Sequence, residues 1–448
     1  MKKRHHGFTA KAGLTFMAVL VLASSAVSAG VKAPFDNTIL VYCDPARDWP
    51  AGSFSYYLAY MGKDGVPQDW LFDGFLFLSI GTASGGNFWD GKAGKADWDA
   101  WLDKIFENGR QLDALETDAA DLEKKLGSSE PKKVILSIPR PPSGFAESRQ
   151  AAVIKDFVDR SIRRFAEKKY ARIVLDGFYW FHEGVDGTDA GLVNGLHADL
   201  QKRGYRLYWI PYDVGRENRA HLERWKKGAI RFDGIWLQPN YFWAERNAKY
   251  AAQDLDDTVA FARDAGAAVE IEFDHRAYAT GWKLGRYAHY LISSKIYGYG
   301  GGPVMYYDGY RGYIKCGESS DPVLRAVYDD LYWFTRDKYL PKPLTYPGRF
   351  WEKGKGEDPE KNPRLGFWIE KDASPARLFL VEPDPNKDYL IILRPHEHAS
   401  GRLEILAGGR WSDLGGAVTR GGAAEGRFRL PRSVLQKIWN PAKPLVAS

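Results

Sequence analysis

Ile173-Val174-Leu175-Asp176-Gly177-Phe178-Tyr179-Trp180-Phe181-His182-Glu183 is an almost unbroken apolar run, interrupted by one Asp-Gly pair and closed by a carboxylate. A strand covered on both faces reads this way, and such strands belong to parallel sheets with helices on their outer side. Its flanks agree. Upstream, Val153, Ile154, Phe157, Val158, Ile162 and Phe165 recur at helical spacing between Ala151 and Lys169. Downstream, a second helical stretch from Asp189 to Arg203 stops at Gly204, a residue suited to the left-handed turn beyond a helix end.

The same unit recurs along the chain. Strands are expected at Thr38 to Tyr42, Gly74 to Ile80, Lys133 to Ile138, Ile173 to Glu183, Arg206 to Tyr212, Gly234 to Asn240, Ala268 to Asp274 and Pro303 to Asp308. A further helix from Asp254 to Asp264 is followed by Gly266, and Asp321-Pro322 opens a last one through about Lys338. Eight alternating units predict a (β/α)8 barrel over residues 36–342. A doubly wound open sheet is the rival, but Asp44-Pro45-Ala46-Arg47 after the first strand is no phosphate-cradling glycine loop. An Asp-Gly pair enters the second, fourth and sixth strands at Asp73-Gly74, Asp176-Gly177 and Asp233-Gly234. Recurrence on alternate strands suits a closed barrel, although Asp-Gly is also a common turn pair.

From about Thr345 only short alternating runs remain, such as Arg377 to Val381 and Tyr389 to Leu393, so residues 345–448 are expected to form a small all-β, sandwich-like domain. At the other end, Lys2, Lys3 and Arg4 precede an uncharged run from Ala12 to Ala29 that ends Val27-Ser28-Ala29. This predicts a signal peptide over residues 1–29, cleavage before Gly30, and a periplasmic or extracellular destination without stable membrane insertion. The net charge of +6 is spread along the chain without a basic block, so no nucleic-acid partner is indicated. The chain holds 16 Trp and 25 Tyr, a heavy aromatic load that points to a carbohydrate partner. A monomer without cofactor is expected.

Active sites of this fold lie where the strands end. The polar residues there are Asp44, Arg140, Tyr179, His182, Glu183, Tyr212, Asp213, Gln238, Asn240, Tyr241, Glu270, Glu272, Asp274, Tyr306, Tyr307 and Asp308. Parity refines them, since alternate residues share a face. On the fourth strand Tyr179, Phe181 and Glu183 point inward, on the sixth Trp236, Gln238 and Asn240, and on the seventh Glu270, Glu272 and Asp274. Inward acids are costly as structure alone, because buried charge must be paired or protonated. His182 points away from the pore by the same count, and no metal site is expected.

The frame Asp176-Gly177-Phe178-Tyr179-Trp180-Phe181-His182-Glu183 resembles the fourth-strand motif of chitinase-type glycosidases, in which an Asp-Gly opens the strand and a catalytic glutamate closes it. That resemblance implies a proton-donor role for Glu183. Tyr179 and Phe181 stand where the motif carries two further aspartates, which argues against acetamido-assisted chemistry. The arrangement is also similar to glycosidases with an acid on strand four and a nucleophile on strand seven. On that pattern Glu183 is the acid/base and Glu272 the nucleophile of a retaining glycosidase, whose two carboxyl groups stand about 5 to 5.5 Å apart. The chain as a whole resembles an uncharacterised bacterial family of exported barrel proteins, a domain of unknown function. Asp44, Arg140, Tyr179, Tyr212, Gln238, Asn240, Tyr241, Trp243, Glu270, Asp274, Tyr306 and Asp308 are then substrate-binding candidates. Two other functions fit: a non-catalytic sugar-binding protein on a degenerate barrel, and a polysaccharide lyase using Tyr212 with Arg140. Cys43 ends the first strand and Cys316 follows the eighth, which are neighbours once the barrel closes, so a disulfide between them is expected.

Overall fold

The computed structural model describes residues 37–185, 189–212, 219–243, 252–276, 282–300 and 302–339, together with short strands between residues 378 and 447. Eight parallel strands close into a barrel: β1 (Asn37–Tyr42), β2 (Gly74–Leu78), β3 (Lys132–Ile138), β4 (Ile173–Trp180), β5 (Arg206–Trp209), β6 (Gly234–Leu237), β7 (Ala268–Glu272) and β8 (Val304–Tyr307). Each strand pairs with its neighbours in sequence, and β8 returns to β1 through Asn37↔Val304 and Ile39↔Tyr306. The expected architecture is therefore present, with β4 ending three residues before Glu183.

Helix boundaries follow local chemistry. Asp321 accepts a hydrogen bond from the Val323 amide at 2.9 Å with Pro322 in the first turn, and the helix runs Pro322–Thr335. The helices Asp189–Lys202 and Ala252–Ala265 are followed by Gly204 and Gly266 at φ of 79° and 76°. The β1 to β2 connection adds a short hairpin, Ala59–Met61 against Pro67–Trp70.

The Asp-Gly pairs tie strand starts together at the end of the barrel remote from the site. Asp73 accepts from the Asn37 amide at 3.0 Å, Asp233 from the Leu207 amide at 2.8 Å, and Asp176 from the Arg206 guanidinium and the Tyr208 hydroxyl. Their recurrence thus reflects stability at the lower rim. At Gly177 the neighbouring strand comes so close that a Cβ would stand 2.3 Å from the Arg206 carbonyl oxygen. Because that obstacle is backbone, Gly177→Ala is expected to cost about 1 to 3 kcal/mol of stability, measurable as a lower urea midpoint with an unchanged slope.

One expectation is corrected. Cys43 and Cys316 are both buried free thiols. Closure does bring β1 beside β8, but the Cys43 sulfur turns to the opposite neighbour, with Sγ 3.8 Å from the Leu78 carbonyl on β2. Cys316 sits on the short helix Gly312–Gly317 among a different set of charges, Asp308 and Asp274. Two thiols are expected to react with an aromatic disulfide reagent after unfolding, and neither in the native protein; a mass two units low without reduction would contradict the free state.

No helix among the described residues is long and apolar enough to cross a membrane. Past residue 340, Leu378–Leu380, Leu445–Ala447, Arg402–Ala407 and Arg410–Ala417 form one antiparallel sheet, and Tyr389–Leu393 pairs with Gly426–Leu430. The rest of the expected sandwich-like domain and residues 1–29 lie outside the described residues.

Candidate active site

Register fixes which side chains enter the barrel, because residues paired across a parallel ladder share a face. Tyr42↔Leu78, Tyr179↔Tyr208 and Tyr307↔Glu272 are such pairs. At the C-terminal mouth the inward set forms a cavity of about 220 Å³. Its wall is built from Leu40 and Tyr42 on β1, Leu78 and Ile80 at the end of β2, Trp89 from the following loop, and Tyr179, Phe181 and Glu183 at the end of β4. Ile210, Gln238, Glu270 and Tyr307 complete the ring. This is smaller than the roughly 300 to 1,000 Å³ of drug-sized ligand sites and of the order of a single sugar ring.

Five aromatic side chains surround the space. Tyr42 meets Tyr307 edge to face at 5.5 Å, and Tyr179 meets Phe181 likewise at 6.1 Å. Trp89 stands at the mouth, 49% exposed. Trp243 stands behind Tyr307, edge to face at 5.6 Å.

Two carboxyl groups share the cavity. Glu183 is half-buried, and burial raises its pKa against a smaller opposing pull from His182. Glu270 is 1% exposed, and its Oε2 has no hydrogen-bond partner. Burial pushes its pKa well up, helped by the charges of Glu272 and Glu183. His182 is turned to Asp189, with Nδ1 3.2 Å from the carboxylate, which agrees with the outward parity expected for it.

Glu272 does not line the cavity. It is fully buried, and its Oε2 accepts from the Tyr290 hydroxyl at 2.6 Å and the Phe242 amide at 3.1 Å. The β6 to β7 ladder registers only Trp236↔Ala268 and Leu237↔Val269. Glu272 lies above those pairs, so its carboxyl can anchor the loop leaving β6 and reach the helix Trp282–Tyr297. Burial raises its pKa from 4.5 to about 7, against the Tyr290 and Phe242 hydrogen bonds. Between those values the native state holds a proton that the unfolded chain has released, so stability falls as pH rises from about 4.5 to about 7, by at most about 1.4 kcal/mol per pH unit. Glu272→Gln is expected to flatten that slope, as read from urea unfolding at pH 5 and pH 7.

Among the other candidates, Tyr179, Gln238 and Glu270 line the cavity, and the rest do not. Tyr306 and Asp308 are corrected from the mouth to the helix-facing layer. Tyr306 donates to Asn37 at 2.7 Å and packs against Phe334, while Asp308 accepts from the Tyr57 hydroxyl and the Tyr313 amide. On β8 Met305 and Tyr307 are the inward residues. Asp274 is corrected too: it is buried in a chelate from the Arg276 amide and guanidinium under Gly309. Tyr241 bonds His289 and Arg286, Asn240 donates to the Tyr212 hydroxyl at 3.0 Å, and Asp44 caps its own turn and pairs with Arg47 at 3.4 Å. Arg140 reaches the Trp89 carbonyl at 3.4 Å, outside the cavity.

Tyr307 was among the rim residues expected at the end of the eighth strand, whereas Tyr42 and Trp89 are aromatic lining residues that strand parity did not reveal. β1 and β8 are apolar at every central position, so alternation there has no phase, and Trp89 sits in a loop without period.

No group of three or more His, Cys, Asp or Glu side chains among the described residues has the geometry of a metal site.

An eight-stranded parallel β/α barrel with a carboxyl-bearing, aromatic-walled pocket at its C-terminal mouth defines the class of this protein. Residues 37–333 match the family described as Domain of unknown function (DUF4855), and the chain belongs to that family. No curated protein matches the sequence. Among solved structures, the catalytic domain of a family GH18 chitinase from the fern Peteris ryukyuensis is similar at 13% identity, covering 66% of this chain and 98% of that one with a TM-score of 0.36. A family 18 chitinase from Crocus vernus is similar at 14% identity, covering 64% and 98% with a TM-score of 0.35. Pullulanase from Bacillus acidopullulyticus is similar at 12% identity, covering 92% of this chain and 60% of that one with a TM-score of 0.33. Likenesses at this level assign no activity.

Proposed function

We propose that the protein is an exported glycoside hydrolase acting on an extracellular or periplasmic carbohydrate, with Glu183 as the proton donor. The observation that carries the reading is the pairing of Glu183 with Glu270 in one aromatic-walled cavity at the barrel mouth. Glycosidic cleavage needs two carboxyl groups flanking one bond, one of them protonated at working pH. Burial favours the protonated form by raising the pKa of Glu183. The aromatic walls offer flat faces to the C–H faces of a sugar ring, and Gln238 offers an amide to its hydroxyl groups.

The second carboxyl of this reading is Glu270, in place of the Glu272 expected from strand position. Each acid has one oxygen without a hydrogen-bond partner, but Glu270 lines the cavity, whereas Glu272 does not and spends its Oε2 on Tyr290 and Phe242. The lyase alternative calls for a tyrosine with an arginine, such as Tyr212 with Arg140; neither of these two lines the cavity, whose described lining includes tyrosines but no arginine. A panel of polysaccharides and oligosaccharides, read both for new reducing ends and for absorbance of unsaturated products, tests the proposal. Reducing ends without absorbance are the expected result; absorbance would mean elimination, and neither signal would leave a binding protein.

A further inference from the structure

Resting on the carbohydrate reading, we infer that the cavity selects a sugar ring that carries a free ammonium group, an amino sugar without its acyl group. Two independent observations converge on a cation. The first is the orphaned carboxyl: Glu270 is 1% exposed, lines the cavity, and has an Oε2 with no hydrogen-bond partner. Glu183 shares the same space, and none of the described lining residues is Lys or Arg. A buried acid without a counter-charge avoids ionising, and a ligand ammonium supplies the partner that its ionised form lacks.

The second observation is the wall. Tyr42, Tyr179, Phe181, Tyr307 and Trp89 present rings to the cavity, and aromatic faces attract ammonium groups through their negative face potential. Among the described residues, two cations beside the wall are matched by acids outside the cavity. Arg47 lies over the Tyr42 ring at 5.2 Å and pairs with Asp44, and Arg276, near Tyr307, is held by Asp274. An N-acylated ring would bring a neutral amide to the acids, and a uronate ring would bring a second negative charge.

A cavity of about 220 Å³ is of the order of a single sugar ring, so single sugars serve as probes and nothing need be cleaved to read them. Binding of glucosamine and galactosamine to the whole chain is compared by calorimetry with that of glucose and galactose, of the two N-acetyl derivatives, and of glucuronate. Binding of at least one amino sugar about tenfold tighter than its hydroxyl and N-acetyl counterparts is the expected result, with the preference lost in Glu270→Gln. The comparison within the wild-type protein stands whether or not that variant folds. Equal or tighter binding of a neutral or N-acetylated sugar would overturn the inference and leave the carbohydrate reading in place. No binding of any of these sugars would overturn both, and tightest binding of glucuronate would overturn the charge assignment alone.

Discussion

Glu183→Gln is expected to lower turnover of a cleaved substrate by about 10² to 10⁴-fold, the usual contribution of a positioned proton donor, while binding and folding stay within about twofold of wild type. The substitution keeps the shape of a half-buried side chain at the end of β4 and removes only the acidic proton. Burial dominates the raised pKa of Glu183, with His182 opposing it, so ionisation of this group is displaced toward alkaline pH. Activity should therefore fall on the alkaline side as Glu183 loses its proton, and that limb should be missing from any residual activity of the variant. Initial rates across pH, beside a urea midpoint and a binding isotherm, check all three parts. Full turnover in Glu183→Gln would remove the assignment.

The second large effect separates Glu270 from Glu272. Glu270→Gly should reduce turnover by at least about 10³-fold, since loss of a group acting with its partner as a unit removes most of the catalysis that either provides. A small anion such as azide, placed in the space vacated by the side chain, should restore part of the rate on an activated glycoside if Glu270 is the nucleophile. Glu272→Gln should instead lose stability near pH 5 with turnover changed far less, because its carboxyl holds the Phe242 amide and the Tyr290 hydroxyl. Azide rescue at position 272 and none at 270 would reverse the two roles.

The barrel was legible because its signals are local and repeated. Apolar runs of strand length, helical periods between them, the Asp321 cap and the glycines at 204 and 266 each act within a few residues, and all agree on eight units. Gln238 and Glu270 were legible for a related reason, because polar residues alternate with apolar ones from Ile235 to Asn240 and along β7 and so set a phase, while Glu183 was marked by the Asp-Gly frame that it closes. On β1 and β8 every central residue is apolar, so nothing marks which side Tyr42, Tyr306 and Tyr307 face.

The chain order of apolar runs, caps and turn glycines was enough to specify a closed eight-stranded barrel and to put Glu183 at its mouth, because hydrogen-bonded strand pairing and helix termination depend on near neighbours. The choice of Glu270 over Glu272 as companion to Glu183 came from three-dimensional packing. Both acids have the same parity, and what distinguishes them is the short β6 to β7 ladder, the Phe242 amide and Tyr290 on a helix 18 residues further along the chain. The free state of Cys43 and Cys316 has the same origin: adjacency of strands follows from topology, but the direction of a thiol follows from the side chains packed around it.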